Sequence, residues 1–226
     1  MPQRTIAIGD IHGCSVALAT LIDAVDPGLD DLIIMLGDYV DRGIDSRGVI
    51  DQLLALGQRC RLIPLLGNHD EMLLDSLHTH AYGRLGPDPN YRAWLEFGGV
   101  ATLQSYGADE SLQQIPLEHV AFLEGCREFY ETNTHLFVHA SYDARRPMEE
   151  QPPELLRWQS LRDRLPGPHT SGKVAVVGHT AQKGGEVLDL GYLKCIDTYC
   201  YGGGWLTALE VDTGQLWQAN ERGEVR

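Results

Sequence analysis

The chain has 226 residues, 43% hydrophobic and 22% charged, with a formal charge of −14. This is an ordinary globular composition. No apolar run approaches the ~20 residues needed to cross a bilayer, so no membrane role is expected. The acidity argues against nonspecific nucleic-acid binding, which needs a basic surface.

Met1-Pro2-Gln3-Arg4 leads into the first strand without the apolar region of a signal peptide. Cys14, Cys60, Cys126, Cys195 and Cys200 are odd in number and irregularly spaced, which fits reduced, structural thiols rather than a disulfide framework. A cytoplasmic protein is expected, with one domain over residues 1–226. The oligomeric state is left open.

In chain order, Thr5 to Gly9 reads as a short buried strand. Ser15 to Val25 carries Val16, Leu18, Leu21, Ile22 and Val25 at helical spacing, and Pro27-Gly28 ends the run. Leu32 to Leu36 has no charged residue and reads as a strand covered on both faces. Ser46 is the expected N-cap of a helix through Leu56, stopped by Gly57. Arg61 to Gly67 gives a third strand, so the start of the chain is built from βαβ units.

From Glu71 to about Glu131 helical patterns dominate, interrupted by glycine and proline breaks such as Gly83 to Asn90. Residues 71–131 are therefore expected to form a helical cap, with the Trp94 to Tyr106 aromatics in its core, a break at Gly98-Gly99 and a further helix over Val120 to Phe129. Asp143 to Pro168 reads as a long loop with one short helix from Glu154 to Leu165. After Val174, strands are expected over 174–177, 186–190, 193–196, 206–211 and 216–219, mostly antiparallel, with a hairpin turn at Asp212-Thr213-Gly214. The fold class is α/β: two sheets face to face with helices outside both.

Five apolar runs hand over an Asp, Asn or His at their carboxyl ends, where open sheets place their chemistry. They end in Asp10-Ile11-His12, Asp38 to Arg42, Asn68-His69-Asp70, His139 and His179. In extended backbone, Asp10 and His12 point to the same side and can chelate one ion. Mixed carboxylate and imidazole donors suit Mn, Fe, Zn, Co or Ni better than Ca or Mg. Asp38 can bridge two ions ~3.5–4 Å apart. Asn68 offers a neutral oxygen, and His139 and His179 offer nitrogens for the second ion. Arg42 can donate two parallel hydrogen bonds to a phosphate. His69 is suited to protonating a leaving oxygen. His78, His80, His119, His135 and His169 lack such context and are read as surface or packing residues. Tyr199 to Trp205 reads equally as a substrate-facing loop or an ordinary one.

The signatures Gly9-Asp10-Ile11-His12-Gly13, Gly37-Asp38-Tyr39-Val40-Asp41-Arg42-Gly43 and Gly67-Asn68-His69-Asp70, with Val138-His139-Ala140 and Gly178-His179-Thr180, resemble those of the calcineurin-like metallophosphoesterases. Within them the resemblance is to the phosphoprotein phosphatases, and Trp94, Gly98-Gly99 and Thr102 to Gly107 resemble the bacterial members. The resemblance implies a four-layer αββα sandwich and two divalent metal ions, manganese first among them. Asp10, His12 and Asp38 would hold one ion, and Asp38, Asn68, His139 and His179 the other.

It further implies that Asp41 holds the second ring nitrogen of His69, that Arg42 and Asn68 contact the phosphate, and that the substrate is a phosphoprotein or phosphopeptide. One position departs from the pattern. Family members carry Trp-x-Arg where this chain has Trp158-Gln159-Ser160, leaving Arg162 or Arg157 to supply a second phosphate-binding arginine. The alternatives are a symmetrical dinucleoside tetraphosphate hydrolase, a class that generally has Gln at the place of His12, a cyclic-nucleotide phosphodiesterase, or an inactive metal-binding regulator.

Overall fold

A computed structural model describes residues 4–81, 89–107 and 112–226. The expected break around Gly83 falls on residues 82–88, outside that set, as do Met1 to Gln3. Strands β1 (Thr5–Ile8), β2 (Leu32–Met35) and β3 (Arg61–Pro64) pair in parallel. They are joined through helices α1 (Ser15–Val25) and α2 (Ser46–Leu56). The N-cap of α2 is Asp45, not Ser46: the Asp45 carboxylate accepts from Gly48 N at 2.9 Å. Ser46 is instead the first helical residue and is buried.

Helix α3 (Asn68–Ala81) starts on the site residues themselves. Then come α4 (Pro89–Trp94), a π-helical turn (Leu95–Gly99) and α5 (Val100–Ser105), kinked where Gly98 takes φ 124°. Helix α6 (Leu117–Glu124) is framed by Pro116 and Gly125, so it ends earlier than expected. Phe129 belongs to strand β4 (Phe129–Glu131), which returns the chain to a sheet.

β4, β5 (His135–Val138), β6 (Val174–Val177), β7 (Leu188–Asp189) and β8 (Leu193–Cys195) form a second sheet in the order β4-β5-β6-β8-β7. Its central pairs, β5 with β6 and β6 with β8, are parallel. That direction matters, because it brings the residues after β5 and β6, His139 and His179, to one edge. The first sheet is completed by β9 (Asp197–Thr198), β10 (Trp205–Glu210) and β11 (Leu216–Ala219) in the order β11-β10-β1-β2-β3, with β9 on β10. Of the strands after Val174, the β7–β8, β9–β10 and β10–β11 pairs are antiparallel as expected, and β6–β8 is the exception. The loop helix α7 (Pro153–Trp158) is shorter than expected.

Period-two alternation accounts for the layers. Ala7, Leu32, Ile34 and Ile63 of the first sheet meet Phe137 and Val176 of the second in an inter-sheet core. The alternate residues Ile6, Ile8, Ile33 and Met35 face outward onto Leu18 and Leu21 of α1 and Leu53 of α2. Leu136, Val138, Ala175 and Val177 face the other way, onto Met148, Leu156 and Leu161. The result is two mixed sheets flanked by helices. All five cysteines are unpaired. Among the described residues, no helix is long and apolar enough to cross a membrane.

Candidate active site

The strand ends meet in tight turns. His12 (φ 46°), Asp38 (φ 53°), Asp41 (φ 71°), Arg42 (φ 70°) and His179 (φ 60°) all lie in the left-handed region, which side-chain-bearing residues rarely adopt. Asp70 locks two of these turns together, its carboxylate accepting from the backbone N–H groups of Asp38 (2.8 Å), Tyr39 (3.0 Å) and Gly67 (3.0 Å). Its motif alone, Gly67-Asn68-His69-Asp70, assigns Asp70 no role.

Two trios of ligand atoms converge within 4.8 Å, one from His12, Asp38 and His69 and one from Asp38, His139 and His179. Asp38 belongs to both. It lies 3.3 Å from His12 Nε2 through one oxygen and 3.5 Å from His139 Nε2 through the other. Three of the four imidazoles are oriented by a main-chain carbonyl: His12 Nδ1 by Val40 O (3.0 Å), His139 Nδ1 by Leu36 O (2.8 Å) and His179 Nε2 by Trp158 O (3.1 Å). Those nitrogens must carry the protons, so the opposite nitrogens present lone pairs. His139 Nε2 and His179 Nδ1 then face Asn68 Oδ1 at 3.1 and 2.9 Å with no proton between them.

Asp10 is in neither trio. Its Oδ2 accepts from His179 N at 2.9 Å, and its buried Oδ1 has no hydrogen-bond partner among the described residues. Facing lone pairs and an orphaned buried carboxylate oxygen are what divalent cations would satisfy, so these residues fit a metal pair.

Charge tells the same story. Burial pushes the Asp10 carboxyl up, and Asp197 and Asp38 push it further. Asp197 is itself pushed up to about 6, mainly by burial. Burial also works to raise Asp38, but the facing His139, His69, His12 and His179 outweigh it and lower it. His12 and His139 are lowered by burial, and His179 is lowered to about 4. They are therefore neutral near pH 7, as ligands must be. Asp197, which no sequence motif singles out, is a further buried acid beside Asp10 and Asp38.

Beside the first trio, His69 Nδ1 is 2.7 Å from Asp41 Oδ2. Arg42 lies over the Tyr201 ring at 4.5 Å, and its two terminal nitrogens donate to His12 Nε2 (2.9 Å) and His69 Nε2 (2.8 Å). Arg42, His12, His69 and Tyr201 thus line one locus. The arginines considered as a second clamp are engaged elsewhere. Arg157 is ion-paired with Glu71 (2.5 Å) and with Glu128. Arg162 donates to the Ala181 carbonyl. Ser160 lies near Thr180, their hydroxyl oxygens 3.4 Å apart. α7 ends at Trp158, where Gln159 turns to extended backbone (φ −74°, ψ 107°) and the Trp158 carbonyl meets His179.

Residues 3–205 match the calcineurin-like phosphoesterase family, and the chain belongs to it. That family is one of metal-dependent phosphoesterases, and His12, Asp38, His69, His139 and His179 stand together as candidate ligands. Among curated relatives, a symmetrical bis(5'-nucleosyl)-tetraphosphatase from Janthinobacterium sp. (strain Marseille) is 47% identical over 75 residues. That match covers 32% of this chain and 26% of the relative, so it spans about a quarter of the relative's length. The enzyme of that name from Erwinia tasmaniensis is 28% identical over 98% of this chain and 99% of its own.

Of solved structures, one provisionally described as a diadenosine tetraphosphatase has a TM-score of 0.71 at 23% identity, covering 97% of this chain and 95% of the other. A protein serine/threonine phosphatase from Saccharomyces cerevisiae has a TM-score of 0.55 at 15% identity, covering 98% and 78%. Both structural likenesses speak to the fold alone.

Proposed function

We propose that the chain is a two-metal phosphomonoesterase that acts on phosphoserine and phosphothreonine in proteins in the cytoplasm. The observation that carries this reading is that, among the described residues, Arg42 is the arginine seen bonded to the imidazoles of the metal-ligand trios, while Arg157 and Arg162 bond Glu71, Glu128 and Ala181. One guanidinium suits one phosphoryl group, whereas a polyphosphate chain calls for several cations. His12 agrees with this, standing where the tetraphosphate hydrolases that the chain resembles generally have Gln.

Asp10, His12 and Asp38 would hold one ion, and Asp38, Asn68, His139 and His179 the other. Bound there, divalent ions such as manganese lower the pKa of water and neutralise phosphoryl charge. Arg42 turns its terminal nitrogens from the imidazoles to the phosphoryl oxygens and stabilises the charge that develops on them. Asn68 adds a polar contact to the phosphate. His69, once Arg42 has turned away and the ring is protonated on both nitrogens with Nδ1–H held by Asp41, gives its Nε2 proton to the leaving oxygen and is left as the neutral Nδ1–H imidazole. Arg162 adds no second clamp, and Arg162→Ala is expected to leave turnover within about twofold.

The curated relatives favour a second reading, symmetrical hydrolysis of dinucleoside tetraphosphates. A panel on manganese-loaded protein separates the two: phosphoserine and phosphothreonine peptides, diadenosine tetraphosphate, and a cyclic nucleotide. The proposal expects the highest kcat/KM on the peptides. A kcat/KM for diadenosine tetraphosphate tenfold or more above that for every peptide would overturn it.

A further inference from the structure

The acid–base pair is seated by residues far away in sequence. Asp41 is fully buried, and its carboxylate receives three side-chain donors. These are His69 Nδ1 at 2.7 Å, Thr102 Oγ1 at 2.7 Å and Trp94 Nε1 at 3.0 Å from both oxygens. The Asp41 backbone N–H donates in turn to Thr102 Oγ1 (2.9 Å) and Ser46 Oγ (3.1 Å), and the two hydroxyl oxygens lie 3.0 Å apart. Trp94, Thr102 and Ser46 are all buried completely.

The hydroxyl of Thr102 has one proton, and it goes to the Asp41 carboxylate, so the hydrogen bonds run in one direction. A carboxylate with donors from Thr102 and Trp94 keeps one lone pair aimed at His69. That fixes the His69 proton on Nδ1 and leaves Nε2 as the atom facing the metal-ligand cluster. The same segment seats Arg42, whose N–H donates to the Gly98 carbonyl at 3.3 Å.

We propose that Trp94 and Thr102 are positioning residues for the reaction, holding the Asp41 carboxylate as an aligned acceptor so that His69 presents Nε2 to the leaving group. This rests on the reading of His69 as the general acid. The side-chain hydrogen bonds of Trp94 and Thr102 go to Asp41 and Ser46, not to the residues assigned to the metals or to Nε2. A purely structural role would lower turnover on all substrates alike. A positioning role makes the loss depend on how much the leaving group needs a proton.

The test uses metal-loaded protein on nitrophenyl phosphate, phenyl phosphate and a phosphoserine peptide, with metal content measured for every variant. The series does not depend on which substrate is physiological. Thr102→Val is expected to lose about tenfold in kcat on phenyl phosphate and the peptide, and less than about threefold on nitrophenyl phosphate. Trp94→Phe should follow the same pattern, and Thr102→Ser should restore near-normal rates with its hydroxyl.

His69→Asn is the internal control, expected to show the steepest leaving-group dependence. If its losses are equal on all three substrates, the general-acid reading fails and takes the inference with it. If His69→Asn shows the split while Thr102→Val is silent or equally impaired throughout, the positioning role alone is overturned. Thr102→Val is nearly isosteric, so it decides the matter even where Trp94→Phe does not fold.

Discussion

The two halves of the site are held in place by different means. His139 and His179 take their orientation from main-chain carbonyls, Leu36 O and Trp158 O. Asp41 and His69 take theirs from side chains, Trp94 and Thr102, supplied by a segment more than fifty residues downstream of Asp41. A carbonyl remains whatever side chain its residue carries, whereas an indole or hydroxyl is lost with one substitution. Metal binding should therefore tolerate change around it, and proton delivery should not.

The largest expected effect lies at the residue the two trios share. Asp38→Asn removes the charge facing both, so metal content measured by elemental analysis should fall at both sites, with turnover down by ~10³ or more. Retention of two equivalents would show that the halves are assembled independently of Asp38.

Arg42→Ala should cost ~10²–10³ in turnover with metal content intact, because its partner is the phosphate. A matching loss of metal would instead place Arg42 among the groups that organise the ions.

Gly98→Ala probes the side-chain-held half through the backbone. Gly98 has φ 124°, and a Cβ there would sit 2.8 Å from Arg42 N. Thermal denaturation should report a stability loss of about 1–3 kcal/mol, with a raised KM for nitrophenyl phosphate. An unchanged KM would mean that the segment does not seat Arg42.

The smallest effect belongs to the carbonyl-held half. Trp158→Ala removes the indole that donates to Glu71 but keeps the carbonyl that orients His179. Affinity for the second manganese, followed by titration calorimetry, should change by less than about threefold. A tenfold weakening would erase the contrast between the halves.

What could be read from the sequence follows from range. Asp10, His12, Asp38, Asn68, His139 and His179 each stand at or just beyond the end of an apolar run, a local signal. Helices α1 and α2 announce themselves by periodicity and by Pro27 and Gly57. The Trp94 and Thr102 bonds to Asp41 were hidden, because an aromatic and a threonine at helical spacing look like cap core until the fold brings them to a carboxylate. Asp197 was hidden for a similar reason, since its neighbours Asp10 and Asp38 come from the opposite end of the chain. The direction of the β6–β8 pair escaped because short apolar runs look alike in parallel and antiparallel pairing. The helix over 153–158 ends where Gln159 turns extended, next to the Trp158 carbonyl that His179 meets from 21 residues away, a contact no local pattern announces. Asp45 in place of Ser46 as N-cap is a one-residue shift between two good capping types, decided when the Ser46 hydroxyl turned inward to Asp41.

The left-handed turns at His12, Asp38, Asp41, Arg42 and His179 set selection for durability against selection for chemistry. Each side chain there holds a backbone shape that glycine adopts freely, at a cost of about 1 kcal/mol or more per residue. Arg42, exposed and bonded through its backbone N–H to Gly98 O, is the position where glycine would be accepted most readily. A population of variants screened only for survival at high temperature should therefore accumulate Arg42→Gly, gaining a higher melting point as it loses its catalysis.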